Sequence, residues 1–128
     1  MQHAEGFLKT VNASKARIKE TDVKGAEEML RAKPNALLID VREDSEWEAE
    51  HVKGAMHIGK GVIERDIEKL VPDRDRPLLL YCGGGFRSAL AADALQQMGY
   101  TNVISVDGGF KAFKDAGKEM EGGSGRTS

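Results

Sequence analysis

Two apolar runs restrict the fold more than any other feature of the chain. In Ala36-Leu37-Leu38-Ile39-Asp40-Val41 and Pro77-Leu78-Leu79-Leu80-Tyr81, neighbouring positions are apolar without the alternation of a half-wet strand. Successive side chains on a strand point to opposite faces, so runs of this kind are buried on both. Burial on both faces belongs to a parallel sheet covered by helices on each side. The segments between the runs carry that helical period. Thr21 or Asp22 caps a helix with Val23, Ala26 and Leu30 inward, stopped by Lys33-Pro34-Asn35. Asp44 or Ser45 opens a short helix carrying Trp47, and residues 54–58 return as a brief strand. After Gly61, Ile63, Ile67, Leu70 and Val71 face inward while Glu64, Arg65, Glu68 and Lys69 face out.

Further along, Leu90, Ala91, Ala94, Leu95 and Met98 make an apolar stripe opposite Asp93, Gln96 and Gln97, closed by Gly99. Residues 102–106 form a strand, Asp107-Gly108-Gly109 a turn, and residues 110–116 a final helix. Strands alternating with helices predict an α/β fold: one domain with a mainly parallel central sheet of four or five strands flanked by helices. The expected division is residues 1–19 as an N-terminal helical extension, 20–117 as the domain and 118–128 as a flexible glycine-rich tail. In the extension, Leu8, Val11 and Ile18 form one face, with Lys9, Lys15 and Arg17 solvated.

At 128 residues the chain suits one domain with a core of its own. A net charge of −2 supplies no general drive toward nucleic acid or anionic membranes. Its apolar runs fall far short of the ~20 residues that span a bilayer. The opening residues lack a basic stretch followed by an apolar one, so no secretory signal is expected. One cysteine forms no internal disulfide, which fits a reducing cytoplasm.

That cysteine, Cys82, ends the second apolar run and opens Gly83-Gly84-Gly85-Phe86-Arg87-Ser88, after which a helix begins. A strand, a glycine turn and a helix N-terminus in this order aim backbone N–H groups at one point. A thiol there, beside Arg87, is expected to ionise more readily than a free thiol of pKa about 8.5. The pattern reads as a nucleophilic cysteine in an anion-cradling loop. With no second thiol, dithiol redox chemistry has no resolving partner. None of the three histidines is near Cys82 in sequence. A Cys–His hydrolase would therefore need the fold to bring His51 or His57 to it. His51 and His57 lack a third partner for a metal. A dinucleotide loop is disfavoured because Ser88 stands where the last glycine of G-x-G-x-x-G belongs.

Two chemistries suit the loop. Cysteine phosphatases carry five residues between Cys and Arg, leaving room for a tetrahedral phosphate, whereas four separate Cys82 from Arg87. The tighter loop favours a bound sulfur atom over a phosphoryl group.

The segment Cys82-Gly83-Gly84-Gly85-Phe86-Arg87-Ser88 resembles the active loop of single-domain rhodaneses, Cys-x-x-Gly-x-Arg-Ser. Three further segments agree in order: Leu38-Ile39-Asp40-Val41-Arg42-Glu43, Trp47 followed by His51-Val52-Lys53-Gly54-Ala55-Met56-His57-Ile58, and Val106-Asp107-Gly108-Gly109-Phe110-Lys111-Ala112-Phe113. The likeness runs roughly from Ile18 to Ala116. It implies a sulfurtransferase in which Cys82 takes the outer sulfur of a small anionic donor such as thiosulfate and holds it as a persulfide. The sulfur then passes to cyanide in assays, or to a thiol or carrier protein in the cell. No cofactor is implied beyond that covalent persulfide, and no metal, nucleic acid or membrane. Residues 83–88 would stabilise the persulfide, with Arg87 holding the donor or buttressing the loop. Asp40 and Arg42 are expected near the site, as a structural pair rather than as substrate ligands. Departures from the family pattern are Glu50, Lys53, Phe110 and Phe113. Gly83 and Gly84 contribute no side chains, so donor selectivity must arise outside the loop. The competing expectations are a cysteine phosphatase or arsenate reductase on a related scaffold, and a non-catalytic rhodanese-like binding module.

Overall fold

A computed structural model describes residues 3–122. In chain order the elements are α1 (Glu5–Lys15), β1 (Lys19–Thr21), α2 (Val23–Ala32), β2 (Leu37–Asp40), α3 (Asp44–Ala49), β3 (His51–Val52) and β4 (Met56–His57). They continue as α4 (Ile63–Leu70), β5 (Leu78–Tyr81), α5 (Phe86–Gln97), β6 (Val103–Val106), α6 (Gly109–Asp115) and β7 (Met120–Glu121). Five strands form one sheet in the order β1-β6-β5-β2-β4, every neighbouring pair parallel. The expected α/β architecture is therefore present, and β5 sits at its centre with all four residues buried.

The two-residue period of β5 divides the core. Leu78, Leu80 and Cys82 pack with Ile63 and Ile67 of α4 and Ala91, Ala92 and Leu95 of α5. Leu79 and Tyr81 pack on the opposite layer with Val23 and Ala26 of α2 and Phe113 of α6. The same alternation that buries the strand thus turns Cys82 toward the α5 side. Because all five strands run parallel, the chain following Asp40, Tyr81 and Val106 gathers along one edge, where α/β sheets bind ligands.

Several elements depart from the expectations. Lys19-Glu20-Thr21, placed at the junction of extension and domain, is the edge strand β1, in register with Ile104, Ser105 and Val106. The segment is polar, so it is held in the sheet by backbone pairing rather than by apolar burial. The helix ahead of it, α1, packs against α5, with Val11 fully buried. Leu70, expected inward, is 48% exposed. Asp93, expected on the solvated face of α5, is buried at 5% exposure because α1 covers it. Ser14 donates to Asp93 at 2.9 Å and Arg17 at 2.6 Å, and the Arg17 hydrogen bonds hold that carboxyl below its usual range. Within the stretch assigned to a tail, Met120 and Glu121 pair antiparallel with Val52 and His51; residues 123–128 lie outside the described part.

Candidate active site

Each side of the Cys82 loop is fixed by a different physical device. The turn from β5 into α5 needs a left-handed residue at the helix cap, and Gly85 supplies it at φ +112°. A glycine cap has no side chain to bond the first amides of α5. The Gly85 N–H itself donates to Cys82 Sγ at 3.1 Å. On the other side the loop carbonyls are taken by the start of α6. The amides of Gly108, Phe110 and Lys111 donate to the carbonyls of Gly84, Cys82 and Gly83 at 3.2, 2.7 and 3.3 Å. The carbonyls of the turn are thus taken by α6, while the Gly85 amide is bonded to the sulfur. Gly109 makes this approach possible: a Cβ there would lie 2.3 Å from the Cys82 carbonyl oxygen. The late glycine pair is thus a clamp on the cysteine turn.

Cys82 is buried, yet it lines a cavity of about 530 Å³ together with His3, Phe7, Gly84, Phe86 and Arg87. Behind it, Ser88 Oγ lies 3.6 Å from the sulfur and 2.8 Å from Ser105 Oγ on β6. Both hydroxyls are buried, and together they form a short relay from the sheet to the sulfur. Arg87 grips Glu46 of α3 through two hydrogen bonds of 2.7 and 3.1 Å. This pairing holds the Glu46 carboxyl below the usual carboxylate range and the guanidinium above its own. Glu43 and Glu46 also form a capping box that starts α3, which fixes where the Glu46 carboxylate points. The Arg87 guanidinium is engaged with Glu46 while remaining beside Cys82.

Asp40 and Arg42 stand apart from the cavity. Arg42 donates to both carboxylate oxygens of Asp40 at 2.9–3.1 Å and to the Glu50 carbonyl at 2.6 Å. Its guanidinium lies over the Phe110 ring at 4.2 Å. The pair is a closed bracket joining the end of β2 to the end of α3. Next to it, burial and the Asp40 carboxylate push the Tyr81 phenol up from its ordinary value. Trp47 is sandwiched between His51 and His57, with ring centroids 3.4 and 4.9 Å away. His51 Nδ1–H donates to the Trp47 carbonyl (2.8 Å), and His57 Nε2–H donates to the Arg42 carbonyl (2.9 Å). Neither histidine lines the cavity over Cys82. Among the described residues no cluster of three or more His, Cys, Asp or Glu side chains is arranged to hold a metal.

Three contributors escaped the sequence reading. Glu46 lies among other charged residues of the short helix carrying Trp47, and nothing local marks its partner. Ser105 left a faint signal, a lone hydroxyl in an apolar strand. Phe7 left none, since its place depends on how α1 docks.

A model of the rhodanese-like domain matches residues 22–116. This chain belongs to the rhodanese-like family. The thiosulfate sulfurtransferase GlpE of Vibrio cholerae is 34% identical over 100 residues, covering 78% of this chain and 92% of the relative. The thiosulfate sulfurtransferase PspE of Escherichia coli is 37% identical over 70 residues, covering 55% of this chain and 67% of the relative. Among solved structures, the polysulfide-sulfur transferase homodimer of Wolinella succinogenes superposes with a TM-score of 0.78 at 28% identity, covering 96% of this chain and 92% of that one. Family and relatives together make the protein a rhodanese-type sulfurtransferase.

Proposed function

We propose that the protein transfers sulfane sulfur through a persulfide on Cys82, with thiosulfate or a comparable small anion as donor. The Cys82 thiolate attacks the outer sulfur of thiosulfate, the sulfur–sulfur bond of the donor breaks, and sulfite leaves with the electron pair. A thiophilic acceptor then attacks the outer sulfur of the persulfide and the thiolate is released. Cyanide leaves as thiocyanate, and a thiol or carrier protein takes the sulfur in the cell. The observation that carries this reading is the 3.1 Å contact from the Gly85 amide to Cys82 Sγ at the uncapped mouth of α5. Donors fixed in advance around a sulfur that is charged both as thiolate and as persulfide stabilise it without reorganisation, as an oxyanion hole does for oxygen. Arg87, held in place by Glu46, adds a positive charge whose position does not depend on the substrate. A lone catalytic thiol must stay reduced between turnovers, which suits the cytoplasm.

Thiocyanate formation from thiosulfate and cyanide is the test, set beside turnover of para-nitrophenyl phosphate by the same preparation. Thiocyanate production that vanishes in Cys82→Ser is the expected result. Faster phosphate-ester turnover than thiocyanate formation overturns the proposal in favour of a phosphatase.

A further inference from the structure

The cavity above Cys82 is larger and more apolar than an inorganic donor needs. At about 530 Å³ it lies within the roughly 300–1,000 Å³ of small-molecule sites, and its upper wall is aromatic. The Phe86 ring meets His3 edge-on at 4.8 Å and Phe7 at 6.2 Å, while His3 and Phe7 are 5.4 Å apart. The Lys15 ammonium lies 5.7 Å from the Phe86 centroid. Two of these rings come from the N-terminal segment, outside residues 22–116 that match the family.

That segment is firmly seated. Phe7, Val11 and Ser14 follow helical spacing along one face of α1. Val11 is fully buried, and Ser14 and Arg17 both bond to Asp93 of α5. Gln96 also donates to the Arg17 carbonyl at 2.9 Å. The face that docks α1 on α5 therefore delivers Phe7 to the cavity.

An aromatic wall contributes little to a doubly charged inorganic anion, which loses hydration there without gaining a partner. It suits an uncharged organic group attached to a sulfur nucleophile. We infer that Phe7 and Phe86 form a specificity wall selecting, as the sulfur acceptor, a small organic thiol that carries an aromatic or similarly bulky apolar group. This rests on the persulfide reading and adds the acceptor class. In the step it governs, the acceptor thiolate attacks the outer sulfur of Cys82–S–S⁻. A bond forms between the two attacking and attacked sulfurs, the bond to Cys82 breaks, and its electron pair stays on the Cys82 thiolate. The products are the organic persulfide and the free enzyme, with no oxidant or reductant consumed.

The test uses the full chain preloaded with sulfur from thiosulfate, the loading first verified by intact mass. Loss of that sulfur is then followed by rapid-quench mass measurement with phenylmethanethiol and with 2-mercaptoethanol, two thiols of similar acidity. The wild-type rate constant is expected to be larger for phenylmethanethiol by about tenfold, the scale of one apolar group in a fitted pocket. In Phe7→Ala the ratio of the two rate constants is expected to fall severalfold, and in Phe7→Leu to fall less. Protein lost to unfolding lowers the amount of sulfur released but alters neither rate constant, so the ratio reports the folded enzyme. A wild-type ratio near one, or a ratio unmoved in Phe7→Ala, overturns the inference while the sulfur-transfer reading stands. Failure to load sulfur at all counts against the sulfur-transfer reading and removes this inference with it.

Discussion

Two polar sites lie at the ends of adjacent strands, and they have opposite characters. At the end of β2, Asp40 and Arg42 close on one another, with the guanidinium also bonded to Glu50 and covered by Phe110. At the end of β5, whose Tyr81 is in register with Asp40, the chain runs into glycine, the helix cap carries no side chain, and a sulfur faces a cavity. In the first site, side chains saturate one another and the result is scaffold. In the second, a backbone amide bonds the sulfur of a cysteine that lines a cavity, and under the proposed function the result is a place for an anion. The two are joined in series: Asp40–Arg42 fixes the end of α3, and α3 presents the carboxylate that holds Arg87.

The contrast is broken most forcefully by Asp40→Ala. It strands the Arg42 charge, whose side chain is 5% exposed, and is expected to cost about 3–5 kcal/mol of stability in urea unfolding. A loss under about 1 kcal/mol, the scale of a surface pair, would erase the distinction between the sites. Arg87→Ala should do the reverse. Its pair with Glu46 is a third exposed on either side, so the stability change should stay within about 1 kcal/mol. Sulfur loading of Cys82 should slow by about 10²-fold, the scale of losing one preorganised electrostatic partner. An unchanged loading rate makes Arg87 a bystander. Ser105→Ala sharpens the picture from behind: removing the partner of the Ser88 hydroxyl should cost about 1 kcal/mol and slow loading less than Arg87→Ala does. Loading slower than in Arg87→Ala would move the weight of the site from the guanidinium to the hydroxyl pair.

The smallest expected effect is one of pH. Because Arg87 depresses the folded pKa of Glu46, the stabilisation is complete above the ordinary carboxylate value of about 4.3 and is lost as pH falls through the lower folded value. The difference in urea midpoint between wild type and Glu46→Gln should therefore shrink below about pH 4. A difference that persists in stronger acid would show that the carboxylate charge is not what matters.

What the sequence revealed follows from the range of the interactions involved. The unalternating strands and the cysteine–glycine–arginine turn are local patterns, and they fixed both the sheet class and the position of Cys82. Asp40 and Arg42, two residues apart, were legible as a pair for the same reason. Asp93 looked solvated because its covering helix lies 76 to 79 residues away in the chain. Glu46 looked like one charge in a run because its partner is 41 residues distant. β1 was hidden for a different reason: an edge strand of three polar residues has no periodicity of burial to read. The cavity wall combined both difficulties, since Phe7 lies off the expected Leu8, Val11 and Ile18 face and its role appears only after α1 docks.

Central to the proposed function is the Cys82 sulfur, bonded by the Gly85 amide, as the carrier of a second sulfur. Intact-mass measurement after brief exposure to thiosulfate reads that state directly. The wild-type chain is expected to gain the mass of one sulfur atom and to lose it on addition of cyanide, while Cys82→Ser gains nothing. A wild-type mass that does not change, or an equal gain in Cys82→Ser, contradicts the account.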